Sequence, residues 1–167
     1  MEVGFDESAH NFLVRRAAAS YDMMDASDEA YYSRHYGDFI EEKLRLYAPI
    51  SRKLTLDLAC GQGRIISELI GRELNLKDVI GVDFSDEVLE KARINLQNLG
   101  GDVRINFESS DILEYIKKVQ DGSVDILLLL EVLYMLPKPE LVLSEISKKL
   151  SPRGIAFFSV RTDHYYG

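Results

Sequence analysis

The run VDILLLL at residues 124–130 constrains the fold more than any other stretch of the chain. A strand that turns apolar side chains to both sides has no face left for water, so it belongs inside a parallel sheet with helices on both faces. The surrounding pattern agrees, because from Lys53 onward short apolar runs alternate with helical stretches. Strands are expected at 53–59, 79–82, 103–108, 124–130 and 154–160. Helices are expected at 62–74, at 86–99, from Asp111, and at 138–150. In the second of these helices Val88, Leu89, Ala92, Leu96 and Leu99 share one face, and Gly100-Gly101 reads as its C-cap. Asp111 and Glu114 have the spacing of a capping box. Strict alternation of β and α elements implies right-handed crossovers, hence an α/β, doubly wound, mainly parallel sheet with helices on both faces.

Residues 1–50 differ in character, being rich in helix formers and tyrosine. A helix is expected at 27–47, with Tyr31, Phe39, Leu44 and Tyr47 as core contacts and Pro49 ending it. The chain thus divides into an N-terminal helical cap or entry segment, 1–50, and a core, 51–167, within one domain overall. No apolar run reaches the roughly 20 residues of a bilayer span, and no membrane partner is expected. The N-terminus MEVGFDESAHNFL lacks a basic region followed by an apolar one, so no signal peptide is expected. Cys60 is the only cysteine, which excludes an internal disulfide and suits a reducing, cytoplasmic setting. A net charge of −8 without a dense Lys/Arg cluster disfavours nucleic acid as a partner.

The chemistry gathers at two strand ends. The first strand runs into Asp57-Leu58-Ala59-Cys60-Gly61-Gln62-Gly63. Glycines at a strand-to-helix turn let the backbone approach a ligand at the helix N-terminus. Asp83 stands at the end of the second strand, where a carboxylate accepts both hydroxyls of a ribose. In open α/β sheets ligands sit outside the carboxyl ends of the strands, so loop and acid point to one adenosine-containing ligand. A dinucleotide fingerprint needs a third glycine three residues after the second, and that position is Ile66. Asp57 lies close enough to the loop to repel a pyrophosphate and to welcome an ammonium. S-adenosylmethionine carries an amino group and no phosphate, and Asp57 separates it from a nicotinamide dinucleotide.

DLACGQG closely resembles the first motif of class I S-adenosylmethionine-dependent methyltransferases, a Rossmann-like family. The resemblance covers 54–160 and, more weakly, the region from Tyr21. It implies that Asp57, Ala59, Gly61 and Gly63 surround the methionine half of the cofactor. GVDFS is similar to the second motif, which puts Asp83 at the ribose and Phe84-Ser85 near the adenine. SSDILEY resembles the third, with the Asp111 carboxylate and the Ile112 amide meeting the adenine edge. Asp111 reads equally as a helix N-cap. LLLLEVLYML resembles the fourth motif of small-molecule members, with Leu130 and Glu131 at the methionine end, partly through backbone carbonyls. The N/D-P-P-Y sequence of amino-methylating DNA and protein enzymes is missing there. Tyr21-Asp22 resembles the entry segment in which a tyrosine closes over the cofactor. LSPRGIAFFSV resembles the turn and fifth strand, after which the family adds two more strands and this chain has only RTDHYYG. The expectation that follows is a fragment or a tail lying beyond these residues, ahead of a sheet completed by a partner.

The resemblance implies S-adenosylmethionine-dependent methyl transfer to a small-molecule acceptor through O, N, C or S, with S-adenosylhomocysteine as product. Tyr21 and Tyr134 are candidates for contact with the sulfonium, and Arg64 for the cofactor carboxylate. Of the histidines His10, His35 and His164, the last is best placed for a base, but no catalytic residue is assigned. No metal site is expected, since Cys60 has no second ligand nearby. The alternatives are a nicotinamide-dependent oxidoreductase and a non-catalytic S-adenosylmethionine-binding subunit of a larger assembly. A homodimer is a further candidate state.

Overall fold

The computed structural model describes residues 26–46, 53–99 and 101–160, with side chains of the first helix from Ser33 onward. Tyr21, Tyr47, Pro49, Gly100, His10, His164 and the side chain of Tyr31 lie outside the described residues. The chain begins with helix α1 (Ala26–Leu46), then alternates: β1 (Leu54–Leu58), α2 (Arg64–Gly71), β2 (Asp78–Asp83), α3 (Asp86–Leu96), β3 (Arg104–Ser109), α4 (Ile112–Lys118), β4 (Val124–Leu129), α5 (Pro139–Lys149) and β5 (Leu150–Phe158). The strands form one sheet in the order β3-β2-β1-β4-β5, and every pairing is parallel. This is the expected doubly wound, Rossmann-like sheet.

The apolar run that predicted it divides as the pleat requires. Ile126 and Leu128 join Ile40, Leu44, Leu69 and Leu89 on the face covered by α1, α2 and α3. Leu127 and Leu129 join Ile112, Ile116, Val142 and Ile146 on the face covered by α4 and α5. All six residues of β4 are buried. Leu128→Ala is therefore expected to lower the unfolding free energy by about 2–5 kcal/mol, read by urea denaturation.

Four boundaries or contacts differ from the sequence expectation. Helix α3 stops at Leu96, so Leu99 lies beyond it and is exposed. Helix α2 stops at Gly71, and the Glu73 and Asn75 backbones turn left-handed before β2. Phe39 is 48% exposed rather than core, because its ring meets Phe157 edge-on while Lys43 stands over it. Strand β5 starts at Leu150, earlier than expected, because a register shift between Val124 and Ile126 absorbs the Pro152–Gly154 stretch as an irregularity within the strand.

Helix α1 is docked twice. Ile40 and Leu44 are fully buried in the core. Outside them the guanidinium of Arg72, the residue just after α2, reaches Asp38 at 2.8 Å, Glu41 at 2.8 Å and Glu68 at 3.1 Å.

Candidate functional site

Strand order reverses on either side of β1, and this topological switch point opens a crevice beyond the strand ends. In register, Asp57 of β1 stands beside Gly81 of β2 and Leu128 of β4. The loop after β1 therefore leaves the sheet next to the end of β2 and the turn after β4.

The β1 loop is held from within and from β2. The Cys60 N–H donates to the Val82 carbonyl and the Gly63 N–H to the Cys60 carbonyl, each at 3.0 Å. Gly61 and Gly63 both have left-handed backbones, with φ of 53° and 75°. At Gly61 an added Cβ would meet nothing within 4 Å, whereas at Gly63 it would lie 2.6 Å from Leu96 Cδ1. Gly61 thus borders open space, and Gly63 lets α2 approach α3. Gly63→Ala is expected to lower stability by about 1–3 kcal/mol, from overpacking and a left-handed alanine. A chemical denaturation midpoint equal to the parent's would show that α3 has slack to yield.

Asp83 ties the crevice together. Its carboxylate accepts the Gly61 N–H at 3.0 Å and the Ser85 N–H at 3.1 Å. Its carbonyl accepts the Ser110 N–H at 3.0 Å, which draws the end of β3 alongside. Ser85 caps α3 by accepting the Val88 N–H, and Phe84 is exposed at the rim. Asp111 caps α4, its carboxylate accepting the N–H groups of Leu113 at 2.8 Å and Glu114 at 3.0 Å. Ile112 behind it is buried.

Asp57 is the unusual group. It is 3% exposed, and its carboxyl makes no hydrogen bond or ion pair among the described residues. Burial, with the charge of Asp83 added, pushes its pKa up to about 8. Burial also raises Asp83, although the backbone N–H groups of Ser85 and Gly61 act against this. The Cys60 thiol beside them is driven up by burial and by both carboxylates, so it is a packed, inert group.

The turn after β4 closes the crevice on the other side. Two of the four non-glycine residues with positive φ among the described residues stand at strand ends here, Ala59 at 63° and Glu131 at 55°. Such backbones cost roughly 1–2 kcal/mol each and persist where surrounding contacts hold them. Glu131 is held by its N–H, which donates to Ser159 Oγ at 2.5 Å, and by its carboxylate, which accepts the Tyr36 hydroxyl of α1. Leu130 packs against the core on the α1 side, and Tyr134 is half-exposed in the short turn that follows.

The structure thus brings Asp57, Ala59, Gly61 and Gly63 together with Asp83, Phe84, Ser85, Asp111 and Ile112 across β1, β2 and β3, and sets Leu130 and Glu131 on the neighbouring strand end. Tyr21 and His164 lie outside the described residues. Sequence reasoning singled out neither Tyr36 nor Ser159, although Ser159 lies within LSPRGIAFFSV, because both meet Glu131 only through the fold. Among the described residues no group of three His, Cys, Asp or Glu could hold a metal ion, and no helix is long and apolar enough to cross a membrane.

Residues 51–162 match the family model described as a methyltransferase domain. The chain belongs to this methyltransferase family. The methyltransferase domain is 31% identical over 113 residues to the ubiquinone biosynthesis O-methyltransferase of Burkholderia vietnamiensis, which covers 68% of this chain and 46% of that protein. The chain spans about half the length of the curated relatives it matches. A similar fold occurs in an S-adenosylmethionine-dependent methyltransferase from Clostridium acetobutylicum, with TM-score 0.64 and 22% identity over 86% of this chain and 56% of that one. It occurs also in a phosphoethanolamine N-methyltransferase of Haemonchus contortus, with TM-score 0.69 and 17% identity over 92% of this chain and 33% of that one.

Proposed function

We propose that this methyltransferase domain binds S-adenosylmethionine in the crevice around β1 and serves methyl transfer to a small-molecule acceptor. The observation that carries the reading is Asp57, a carboxyl with no partner among the described residues, set beside the glycine loop and raised first by burial and then by a second carboxylate. A site so built favours a ligand that brings a positive group to Asp57 and hydroxyls to Asp83. S-adenosylmethionine fits, with its ammonium, its ribose and its lack of phosphate. The Haemonchus relative was solved with S-adenosylhomocysteine, which agrees with this choice. A dinucleotide fits poorly, because the Asp83 carboxylate would face its pyrophosphate, Asp57 could not ionise beside it, and Ile66 fills the position of the third glycine at 1% exposure.

The bound donor supplies an already activated methyl group on a sulfonium. The chain's own residues then bind, orient and exclude water. Asp57, Ala59, Gly61 and Gly63 would take the methionine half, and Asp83 the ribose. Phe84, Ser85, Asp111 and Ile112 would take the adenine. Leu130 and Glu131 would border the methyl end, with Tyr21 closing from the entry segment. No residue is assigned as a base, and O, N, C and S acceptors all remain within the class. The ubiquinone-pathway relatives favour a small organic hydroxyl compound over nucleic acid, as does the net charge of −8.

A crystal structure with S-adenosylhomocysteine tests the site. Density for the nucleoside between the Gly61 loop and Asp83 is the expected result, and a ligand elsewhere would overturn it. Titration with reduced nicotinamide dinucleotide in parallel should show no binding. A second reading, a cofactor-binding subunit without turnover, has one observation in its favour: β5 is an edge strand among the described residues, with Phe158 and Val160 exposed. The same apolar edge supports a homodimer, which light scattering would detect. Transfer of labelled methyl to small hydroxylated acceptors separates enzyme from subunit. A cytoplasmic setting rests on Cys60, buried and unpaired.

A further inference from the structure

The side chain of Tyr36 in α1 reaches a strand end of the crevice, where its hydroxyl donates to the Glu131 carboxylate across 95 positions of sequence. Helix α1 does not need this bond in order to dock, since Ile40 and Leu44 are fully buried and Arg72 ties Asp38 and Glu41 to α2. Glu131 does need restraint. Its backbone is left-handed at φ 55°, in a residue that carries a Cβ. Among the described residues two hydrogen bonds hold it there, Ser159 Oγ on its N–H and Tyr36 on its carboxylate. Leu128 of β4 stands beside Asp57 of β1, so Leu130 and Glu131 follow two and three residues beyond that pairing, and their backbone direction depends on the turn. Without the anchors the turn is free to relax to negative φ, and the edge of the crevice changes shape.

We propose that Tyr36 is a positioning residue of the cofactor site, holding Glu131 so that the turn after β4 keeps the shape the bound cofactor requires. The inference rests on the cofactor reading above and adds α1 to the machinery of the site. The Tyr36 hydroxyl is suited to a permanent anchor, because burial and the neighbouring Glu131 push its pKa up to about 12 and it stays a donor across the working pH range. Ser159 bonds the same cluster, so the end of β5 takes part as well.

The test is a double-mutant cycle on the full chain, read by calorimetric affinity for S-adenosylhomocysteine beside the thermal midpoint. Tyr36→Phe keeps the ring and removes only the hydroxyl. It is expected to weaken affinity about tenfold, the cost of re-forming one left-handed backbone on binding, with a midpoint lowered by no more than the loss of one hydrogen bond. Glu131→Ala should weaken affinity at least as much, and the double variant no more than Glu131→Ala alone. Ser159→Ala removes the other anchor and should weaken affinity in the same direction. A residue that only packs α1 would move the midpoint and show no coupling to Glu131 in affinity. Unchanged affinity in Tyr36→Phe, or additive losses in the double variant, would overturn the proposal while leaving the cofactor site standing. A parent chain that fails to bind S-adenosylhomocysteine would overturn the cofactor reading and this inference with it.

Discussion

Asp57→Asn is expected to raise the stability of the unliganded protein at pH 8 while removing most of its affinity for S-adenosylmethionine. The two effects have one cause. The Asp57 carboxyl has a folded-state pKa of about 8, from burial first and from Asp83 second, against an unfolded value near 3.8. The folded state therefore holds a proton that the unfolded state gives up. Its contribution to stability is fully present below about pH 4, declines by roughly a factor of ten in the folding constant per pH unit, and is lost as pH rises through about 8. Asparagine cannot ionise. The variant's advantage in thermal midpoint should accordingly be absent near pH 4 and grow toward pH 8. Binding runs the other way. The ligand's ammonium needs the ionised carboxylate, so wild-type affinity should climb about tenfold per pH unit up to pH 8, with a proton released to buffer. Asp57→Asn should lack that ascending limb and lose on the order of 10- to 100-fold in affinity at pH 8. Calorimetry in buffers of different ionisation enthalpy measures both. An affinity independent of pH in the wild type would show that no cation sits on Asp57.

The second large effect belongs to Asp83→Ala. This carboxylate accepts two backbone N–H groups, from Gly61 and Ser85, and retains lone pairs for ribose hydroxyls. Alanine leaves both N–H groups without their partner, at about 1–3 kcal/mol each where water does not reach them. It also frees the glycine loop from β2. Cofactor affinity should fall by a further ~1–3 kcal/mol, about 5- to 150-fold, for the ribose contacts. A separate consequence is diagnostic: removing the Asp83 charge takes away the second cause of the Asp57 shift, so the ascending limb of the pH profile should move to lower pH. Asp83→Asn keeps an acceptor oxygen and should recover much of the stability and less of the affinity. An Asp83→Ala protein that binds S-adenosylhomocysteine as the parent does would show that the ribose does not lie there.

Local features carried much of this reading. Six apolar or paired residues in succession admit only a two-sided environment, so β4 and with it the class of sheet could be read from composition along the chain. Gly61 and Gly63 mark left-handed backbone that few other residues adopt, and Asp57 and Asp83 mark strand ends by their spacing from them. Boundaries were less legible. Leu99 continues the helical period of α3, yet the helix ends at Leu96, because an apolar period says nothing of where the last hydrogen bond falls. Pro152 and Gly154 read as a turn, and the structure takes them into β5 through an irregular register with β4.

The sequence by itself determined that a glycine turn and two carboxylates would stand on consecutive strand–helix units, since those units are contiguous in the chain and their geometry is local. Only the tertiary structure decided that Asp57 is buried without a partner among the described residues, that Asp83 clamps the Gly61 loop, and that Tyr36 and Ser159 converge on Glu131. These are contacts between segments 22 to 95 positions apart. Their energies depend on solvent exclusion and on the order of strands in the sheet, and no local pattern of side chains encodes either.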